Sequence, residues 1–531
     1  MRRWNGWGDD GIDMPLNDAA LAFLRERVGE TQPPVDASLQ QVCAAIPPAA
    51  LPPHRLLNTA REARLAVSYG QSLPDWLRLR FGKIERVVDA VAAPQSSDEV
   101  REVLDYARQH GAVVIPWGGG TSVVGHLTPP AGDAPVISLS MARMTRLLHL
   151  DKRSQLATFE AGAAGPEVES QLRAQGYTLG HFPQSFEYST LGGWIVTRSS
   201  GQQSLRYGRI EQLFAGGRLE TPAGTLAIPT FPASSAGPDL REMVLGSEGR
   251  LGVLTEAIVR VTPMPEMEQF HAVFFADWAH AEAATRELTQ LKLPLSMLRL
   301  SNEVETLTSL TLAGHARLIG LMEGYLNLRG VPKDGKCLML MGVTGPTTTC
   351  RAALKVAHTV IRRHGGVAVG TRFGEKWKAN RFRSVYLRNT LWAHGFAADT
   401  VETACDWPKV EPMMRKVEAA ATAALARFGE RVHAYTHLSH FYPQGSSVYS
   451  TFVFRRAPTF EENIERWQVM KEAICRTMVE IGGTISHQHG VGRDHAPYLP
   501  AEKGPLGMDA LRALVRQFDP DGVMNSGNLG L

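Results

Sequence analysis

Hydrophobic and polar positions alternate in patterns that divide the chain into regions of different structure. Residues 17–80 follow a mostly helical period, which the proline-rich stretch 47–53 interrupts. From residue 87 onward, short apolar runs typical of strands alternate with amphipathic helical segments. Strands are predicted at residues 112–116, 136–139, 156–160 and 253–261, and a helix at residues 166–175. Pro263 and Pro265 then mark a boundary.

One helix start is especially clear in this region. Ser96 and Glu99 have the spacing of a capping box, and Val100, Val103 and Ala107 follow on one helical face. Gly111 ends the pattern. The sequence therefore predicts a helix that begins near Ser96 and ends at Gly111, directly before the strand at residues 112–116.

The middle of the chain has the pattern of a separate α+β unit. Strands are predicted at residues 271–275, 337–343 and 448–454, among amphipathic helices. A helix is predicted at residues 461–480, and Gly482 ends it before a histidine-rich loop. No internal repeat of 20 to 50 residues is present.

Composition narrows the class of protein. A chain of 531 residues is long enough for about two to four domains. The net charge of +3 argues against nucleic-acid binding. Five scattered cysteines without a CxxC pair indicate a reducing compartment. No apolar run has the length of a transmembrane helix, and the N-terminal residues lack the apolar core of a signal peptide. We therefore expect a cytoplasmic protein with at most peripheral membrane contact.

A loop of three glycines directly follows the predicted strand at residues 112–116. Gly118, Gly119 and Gly120 allow successive backbone N–H groups to converge on an anion, and Thr121 and Ser122 add hydroxyl groups. The loop matches neither the Walker pattern nor the GxGxxG dinucleotide pattern. An ordinary tight turn is the alternative interpretation of this segment alone.

Two further glycine-containing segments favour a bound cofactor over an ordinary turn. Residues 184–200 carry two clusters of hydroxyl residues around Gly192 and Gly193, and residues 246–254 run directly into a predicted strand. A long cofactor that crosses all three segments explains their common composition. A side chain at Gly119 is expected to abolish its binding by filling the place of its pyrophosphate.

These segments resemble the FAD-binding domain of the vanillyl-alcohol oxidase (PCMH-type) flavoprotein superfamily. The resemblance includes PWGGGTS, FEYSTLGGWIVTRSSG and GSEGRLGVLTEA, and it extends to WNGWG near the N-terminus and DPDGVMNSGNL at the end. Within the superfamily, the chain most resembles the alkyldihydroxyacetonephosphate synthase family. The resemblance implies an α+β fold with a PCMH-type FAD-binding domain in two parts and an α+β cap domain for the substrate. The corresponding segments are an N-terminal helical segment at 1–80, the FAD-binding domain at 81–265, the cap at 266–460, and a C-terminal segment at 461–531 that returns to the FAD domain.

The resemblance implies FAD as the cofactor. It is expected to be bound non-covalently, because the triple-glycine loop contains no histidine, and His126 just beyond the loop is read as an ordinary loop residue. The residues implied to line the FAD are Pro116, Trp117, Gly118, Gly119, Gly120, Thr121, Ser122, Gln184, Ser185, Phe186, Glu187, Tyr188, Ser189, Thr190, Thr197, Arg198, Ser199, Ser200, Glu248, Gly249, Arg250, Leu251, Gly252, Val253 and Leu254.

The loop at residues 483–492 contains the densest reactive chemistry of the sequence. His487 and His489 stand one residue apart between glycines, and imidazole groups can move protons near neutral pH. They could instead be metal ligands or ordinary surface residues. The synthase family has three successive histidines here, and Gln488 replaces the middle one, so an acid–base role at that position is in doubt.

Three further residues receive roles only from the resemblance. Tyr442 resembles the catalytic tyrosine of the synthases, Arg299 resembles an arginine needed for activity, and Arg388 resembles the arginine that holds the anionic group of the substrate. A guanidinium group suits a phosphate or a carboxylate because it can bind either in a bidentate manner.

A metal is not expected. Relatives that oxidise D-2-hydroxy acids carry an HxGDGNxH-type metal motif, and this chain has THLSHFYPQG at the same place. A metal bound through His437 or His440 together with His489 remains the alternative.

The resemblance implies exchange of the acyl group of an acyl-dihydroxyacetone phosphate for a fatty alcohol at the flavin N5, a step of ether-lipid synthesis. The alternative is an FAD-linked dehydrogenase or oxidase of a D-2-hydroxy acid or a similar alcohol. In either case the expected partner is a small anionic substrate, a phosphate or a carboxylate, which could belong to a lipid. A homodimer is expected. A non-catalytic scaffold is disfavoured, because Tyr442, His489 and both arginines occur together.

Overall fold

The N-terminal region is helical, as predicted. The computed structural model describes residues 1–314 and 316–531. Residues 2–9 form a turn that is closed by a bridge between Arg2 and Asp9. The elements that follow are helices α1 (Asp18–Val28) and α2 (Leu39–Ala45), strand β1 (Leu57–Asn58), and helices α3 (Arg61–Ser68) and α4 (Leu73–Phe81).

A small sheet begins the α/β part of the chain. Its elements are β2 (Ala90–Ala92), helix α5 (Ser97–Gln109), β3 (Val113–Trp117) and β4 (Val136–Ser140), and its order is β1-β2-β4-β3. Both β2 and β3 pair with β4 in parallel. Helix α5 begins as predicted, with the Ser96 side chain accepting from the Glu99 N–H. The Glu99 carboxylate, however, accepts from the N–H of Gln95 and not from that of Ser96.

A second, antiparallel sheet has the order β5-β6-β10-β8-β9. Its elements and those around it are β5 (Leu147–Asp151), β6 (Leu156–Glu160), α6 (Gly165–Arg173), β7 (Tyr177–Thr178), α7 (Leu191–Val196), α8 (Ser204–Tyr207), α9 (Ile210–Leu213), β8 (Phe214–Thr221), β9 (Gly224–Ile228), α10 (Arg241–Val244), β10 (Val253–Arg260) and β11 (Thr262–Pro263), which pairs with β7.

The middle of the chain forms a seven-stranded antiparallel sheet of order β15-β12-β14-β13-β17-β18-β16. The elements are β12 (Met267–Phe275), α11 (Trp278–Gln290), β13 (Met297–Ser301), α12 (Glu303–Leu312), α13 (Ala316–Leu328), β14 (Cys337–Gly345), α14 (Thr347–Arg363), β15 (Val367–Ala368), α15 (Arg372–Asn380), α16 (Leu387–Ala393), β16 (Phe396–Asp406), α17 (Trp407–Ala426), β17 (Val432–Leu438) and β18 (Gly445–Arg455).

The two faces of this large sheet have different neighbours, because successive side chains of a strand point to opposite sides. Val273 and Phe275 belong to the core cluster that also contains apolar side chains of α11, α14 and α17. Phe270 and Ala272 point the other way and pack with Trp377 of α15. The side chains on this second face of the neighbouring strands build the polar part of the site.

The C-terminal segment returns to the first sheet. It contains α18 (Phe460–Ile481) and α19 (Leu499–Phe518), with short 3-10 turns at Ala496–Tyr498 and Asn528–Gly530. The backbone of Met524 bridges in parallel to Val114 of β3, and the Asn525 N–H donates to the Val114 carbonyl at 2.8 Å. Residues more than 400 positions apart in the sequence therefore lie side by side.

Candidate active site

A long cleft lies where the loops of the two smaller sheets meet the large sheet. It encloses about 1460 Å³ of space, including its open mouth. All three glycine-containing segments border it, and so do residues from both ends of the chain, Trp7 and Asn525. The predicted cofactor residues that border it are Pro116, Trp117, Gly118, Gly119, Gly120, Thr121, Ser122, Gln184, Ser185, Ser189, Thr190, Thr197, Ser199, Glu248, Gly249, Gly252, Val253 and Leu254.

The triple-glycine loop has the properties of an anion site. Within the described part of the chain, the five successive N–H groups of residues 118–122 donate to no acceptor. Unpaired N–H groups that border an open cleft are free to bind the oxygens of a pyrophosphate. The loop therefore fits a dinucleotide cofactor such as FAD.

The structure requires glycine at position 119 for a different reason from the one that the sequence suggested. A Cβ atom there would lie 1.8 Å from the carbonyl oxygen of Tyr188, and at Gly118 it would lie 2.3 Å from Oγ1 of Thr190. A side chain at Gly119 would therefore collide with the neighbouring loop, and not fill the place of the pyrophosphate. The two loops touch because no Cβ separates them.

Seven predicted cofactor residues do not border the cleft. Phe186 is buried and stacks on Phe382, and Arg198 pairs with Glu242. Glu187 and Tyr188 contact the Tyr386 hydroxyl. The remaining three are Ser200, which borders the neighbouring cavity, Arg250, which donates to the Met524 carbonyl, and Leu251, which lies in the apolar core. These residues lie behind the ones that border the cleft. The resemblance covers whole segments, so it could not show which residues of a segment border the cleft.

Glu248 holds the histidine-containing loop at residues 483–492 against the cleft. Its carboxylate accepts from the N–H groups of Val491 at 2.5 Å and Gly492 at 2.8 Å. Nε2 of His126 lies 2.9 Å from the same carboxylate, and Nδ1 lies 2.7 Å from the Ser122 hydroxyl. His126, which the sequence suggested to be an ordinary loop residue, therefore connects two cofactor segments with the loop that carries His489.

A second, smaller cavity opens beside the cleft. Gln184, Tyr449, Gln488 and His489 border both spaces. The remaining residues of the second cavity are mostly polar: Ser200, Gln202, Met297, Leu298, Arg299, Trp377, His437, Ser439 and His440. A molecule in this cavity would lie next to a cofactor in the cleft, which is the arrangement that an enzyme with a bound cofactor needs for its substrate.

The large sheet supplies one row of this polar site. Glu402 of β16 is paired with Tyr449 of β18, Tyr449 with His437 of β17, and His437 with Ser301 of β13. Paired residues point to the same face of a sheet. The Tyr449 ring stacks on His437 at 4.7 Å between centroids and meets His489 edge-on at 5.8 Å.

The Glu402 carboxylate is completely buried at the centre of the histidines. Oε1 lies 3.3 Å from His487 Nδ1 and 3.9 Å from His440 Nε2, and Oε2 lies 3.9 Å from His489 Nε2. The Gln488 amide donates to Oε2, and its oxygen accepts from the Ser200 N–H at 3.2 Å. Gln488, which replaces the middle one of the three histidines of the synthase family, therefore binds the Glu402 carboxylate.

Burial and charge make this cluster an anion surrounded by neutral imidazoles. Burial alone raises the pKa of Glu402, but the neighbouring histidines, His487 foremost, hold it well below its ordinary value. Burial lowers the pKa of His487 and His489, and the Glu402 charge offsets only part of that effect. Neutral histidines can accept protons at neutral pH.

Two of the predicted catalytic residues lie behind the cavities. Among the described residues that border either space, Tyr442 and His487 are missing. The Tyr442 hydroxyl lies 2.6 Å from His487 Nε2, and Arg209 donates to both, at 3.0 Å to Tyr442 and 2.5 Å to His487. The tyrosine that borders the cavities is Tyr449.

The two predicted arginines also differ in position. Arg299 borders the second cavity, where it pairs with Glu305 at 2.7 Å and contacts His437. Arg388 borders neither space in the described structure, although Val385, one helical turn earlier, borders the cleft. The Arg388 guanidinium stacks on Trp76 at 4.2 Å and donates to the Gln71 carbonyl.

The histidines that could hold a metal are not the predicted set. Glu402, His440 and His487 each place one ligand atom within 4.8 Å of the others. His489 is not part of this group, and His437 instead lies 2.9 Å from the Glu305 carboxylate. Arg209, whose guanidinium contacts His487, adds a positive charge beside the group and so disfavours a cation there.

Sequence reasoning missed several residues of the site. Tyr449 lies in a predicted strand, Glu402 and Arg209 lie in segments for which no site role was predicted, and Trp7 lies in the N-terminal WNGWG motif. The available signals were a tyrosine and a glutamate on the alternating face of two long strands, and two tryptophans in a short glycine-containing segment.

Comparisons with known proteins agree with this geometry. Residues 264–529 match the family of FAD linked oxidases, C-terminal domain, and residues 88–228 match an FAD binding domain family. The chain is 30% identical to alkyldihydroxyacetonephosphate synthase of Trypanosoma brucei brucei, over 99% of this chain and 92% of the relative. A solved alkyldihydroxyacetonephosphate synthase superposes with a TM-score of 0.84 at 26% identity, over 99% of this chain and 98% of that one. Glycolate oxidase subunit GlcD of Bacillus subtilis is 26% identical over 83% of this chain and 88% of the relative.

The fold and the cleft define an FAD-dependent enzyme with a PCMH-type FAD-binding fold. The resemblance from the sequence is thereby confirmed for the fold and for FAD as the cofactor. The chain belongs to the alkyldihydroxyacetonephosphate synthase family. No helix in residues 1–314 or 316–531 is both long and apolar enough to span a membrane.

Proposed function

We propose that the protein synthesises an alkyldihydroxyacetone phosphate by exchanging the acyl group of an acyl-dihydroxyacetone phosphate for a fatty alcohol, in ether-lipid synthesis. The observation that carries this proposal is the polar second cavity, which joins the flavin cleft at Tyr449, Gln488 and His489. The similarity to a synthase over 99% of the chain supports it, compared with 83% for the glycolate oxidase subunit.

The reaction requires the transfer of one proton. A fatty alcohol loses its hydroxyl proton when it forms an ether, and the departing fatty acid leaves as a carboxylate. His489 is neutral and lies at the junction of the two cavities, so it is suited to accept this proton. The Tyr449 hydroxyl belongs to the same junction, and burial raises its pKa to about 12, which keeps it protonated and able to donate a hydrogen bond.

The anionic group of the substrate needs a cation. Arg299 borders the second cavity, but Glu305 already neutralises it. Among the described residues, the contacts of the Arg388 guanidinium are the Gln71 carbonyl and the Trp76 ring, without an ion pair to a carboxylate. Burial lowers its pKa to about 10. A half-buried cation that no carboxylate neutralises favours an incoming anion, so we retain Arg388 as the phosphate anchor. Reaching the phosphate requires the side chain to turn toward the cavity.

FAD would lie in the cleft with its pyrophosphate on residues 118–122, and it would supply the electrophilic and electron-accepting chemistry of a flavin. We propose that it is bound without a covalent bond. No cysteine of the described chain borders the cleft, and both ring nitrogens of His126 are engaged. Acid precipitation should release all of the flavin into the supernatant, and yellow colour in the pellet would contradict this proposal.

An isotope experiment tests the reaction. The purified holoprotein is incubated anaerobically with acyl-dihydroxyacetone phosphate and radiolabelled hexadecanol. We expect labelled ether product and one released fatty acid for each ether, without net bleaching of the flavin. In parallel, D-2-hydroxy acids are supplied with a redox dye. Dye reduction without ether formation would replace the synthase with the dehydrogenase alternative.

The remaining predictions from the sequence are part of this proposal. We propose the four-part division at residues 80, 265 and 460, a homodimer, and a cytoplasmic location with peripheral contact to a lipid surface. A lipid substrate supports the last of these, because a fatty alcohol is delivered from a membrane and not from water.

A further inference from the structure

The carboxylate of Glu402 is the most highly connected group of the site, and none of the roles described so far uses it. Five side chains surround it: His440, His487, His489, Gln488 and Ser439. Glu402 itself borders neither cavity within the described residues, so it does not touch a ligand in either of them. Burying a charge is costly, and these partners offset part of that cost. The number of partners therefore indicates that the position of this charge matters for the groups around it.

The partners of His487 determine which of its nitrogens carries the proton. Arg209 and Tyr442 both direct a donor at Nε2, at 2.5 Å and 2.6 Å. An arginine can only donate a hydrogen bond, so Nε2 is the accepting nitrogen of His487. Its proton is therefore on Nδ1, which faces Glu402 at 3.3 Å.

The same carboxylate acts on His489 through charge. Nε2 of His489 lies 3.9 Å from Oε2 of Glu402, which is longer than a hydrogen bond but well within the reach of a charge in a buried site. A neutral imidazole carries one proton, and a nearby anion favours the tautomer that has this proton on the nitrogen facing it. This leaves the lone pair of His489 on Nδ1.

We infer that Glu402 is a positioning residue, which holds the proton of His487 on Nδ1 and that of His489 on Nε2. As a consequence, Nδ1 of His489 is the nitrogen that accepts the substrate proton. The part of this inference that concerns turnover rests on the proposed function. The tautomers themselves do not depend on it.

Gln488 supports the same arrangement. Its amide donates to Glu402 and accepts from Ser200, so its orientation is fixed from both sides. A third histidine at this position would add another group that titrates beside the carboxylate. The glutamine instead gives Glu402 a donor that keeps its proton at every pH.

The first experiment reads the tautomers directly. The FAD-loaded protein is labelled with ¹⁵N-histidine, and the side-chain ¹⁵N shifts of His487 and His489 are assigned by single replacement of each by glutamine. Wild-type protein should show the Nδ1–H form of His487 and the Nε2–H form of His489. Glu402→Gln should shift His489 to a mixture or to the Nδ1–H form. Unchanged shifts for His489 in Glu402→Gln would overturn the inference, whether or not the protein has synthase activity.

The second experiment measures the steady-state kinetics of the variants. Glu402→Gln should lower kcat by about 10²-fold, the loss that is usual when a positioning carboxylate is removed from a histidine. KM and flavin occupancy should stay within about threefold. Glu402→Gln combined with His489→Ala should be no slower than His489→Ala alone, since Glu402 acts through His489. Losses that multiply in the double variant would overturn the inference.

Two variants separate positioning from folding. Glu402→Asp keeps the charge, and it should retain the wild-type tautomers with an intermediate rate, so it tests the inference if the glutamine variant does not fold. Glu418→Gln removes another partly buried carboxyl group, which contacts Thr436 and Asn302 and borders neither cavity within the described residues. It should leave kcat and the histidine shifts unchanged. If no ether forms with wild-type protein while the tautomers behave as expected, the proposed function fails and the positioning role stands.

Discussion

At the scale of single residues, the position of a tyrosine decides what it can do. Tyr442 lies behind the cavities with His487 and Arg209, whereas Tyr449 borders both cavities beside His489. Tyr449→Phe keeps the ring and removes only the hydroxyl. We expect kcat to fall by about 10- to 150-fold with full flavin occupancy, which is the rate equivalent of losing a hydrogen bond to a charged group.

Tyr442→Phe is the matched control for this prediction. It removes a hydroxyl that contacts Arg209 and His487, and we expect the loss in kcat to be at least tenfold smaller. Steady-state assays of both variants on the same substrate make the comparison. A larger loss for Tyr442→Phe than for Tyr449→Phe would return the catalytic role to Tyr442, as the sequence suggested.

Gly119 makes a second prediction at this scale. An alanine Cβ would lie 1.8 Å from the Tyr188 carbonyl oxygen, so Gly119→Ala must separate two loops of the cleft. We expect a loss of about 1–3 kcal/mol in stability, as for other overpacked sites, and a lower ratio of flavin to protein absorbance.

Gly324→Ala is its control. Gly324 lies in α13 with nothing within 4 Å of the added Cβ, and alanine favours a helix over glycine by about 0.5–1 kcal/mol. This variant should keep its flavin and melt slightly higher than wild type. Full flavin occupancy and an unchanged melting temperature in Gly119→Ala would refute the close contact between the loops.

At the scale of elements, an ion pair connects β13, α12 and β17 beside the second cavity. Burial alone raises the pKa of Glu305, but His437 and Arg299 together bring it to about 2. A carboxyl group whose pKa is lower in the folded state stabilises the fold above its ordinary pKa of 4.5, and this contribution is lost as the pH falls toward 2. The shift corresponds to about 3 kcal/mol.

Glu305→Gln should therefore melt below wild type at pH 7, and the difference should shrink as the pH falls below about 4.5. Glu418→Gln should show the opposite trend. Burial raises the pKa of Glu418 to about 7, so wild-type Glu418 costs stability as the pH rises and its glutamine variant gains relative to wild type. Melting curves between pH 3.5 and 7.5 check both. A deficit of Glu305→Gln that does not change with pH would contradict the ion-pair assignment.

The elements also show how far the sequence could be interpreted. Periodicity predicted β6 at its observed bounds and placed α5, β4, β10 and α18 within one or two residues. It could not show that Tyr449 faces a cavity, because an alternating strand has two faces and the sequence does not say which one is core. Tyr442 was predicted instead, because it resembles the catalytic tyrosine of the synthase family. Glu402, in a strand of mixed composition, gave no local signal that three histidines would converge on it.

At the scale of the whole molecule, the flavin cleft is assembled from segments distributed along the entire chain. Trp7 borders it near one terminus and Asn525 near the other, with three glycine-containing segments between. The glycine segments could be recognised because backbone N–H groups impose a composition on a loop. The terminal segments could be placed only by resemblance, since contacts between residues hundreds of positions apart leave no pattern in a single sequence.

This assembly predicts that the C-terminal residues hold the cofactor. The side-chain amides of Asn525 and Asn528 each donate to the carbonyl groups of His126 and Glu248, at 3.2–3.3 Å. The backbone of Met524 extends the first sheet at β3, directly before the triple-glycine loop. Removing residues 520–531 should therefore weaken FAD binding at least tenfold, because two carbonyl groups beside the cleft lose their donors, while α19 is retained.

Fluorescence titration of the apoprotein with FAD measures the effect. Asn525→Ala combined with Asn528→Ala, in the full-length chain, removes only the four hydrogen bonds and guards against a truncated chain that fails to fold. The double variant should also weaken FAD binding, by a smaller factor than the truncation does. Asn380→Ala removes a side-chain amide that is bonded within its own exposed helix turn, and it should bind FAD as wild type does. If the truncated chain and the double variant both bind FAD with wild-type affinity, the C-terminal segment has a structural role only in the first sheet, and the cleft does not depend on it.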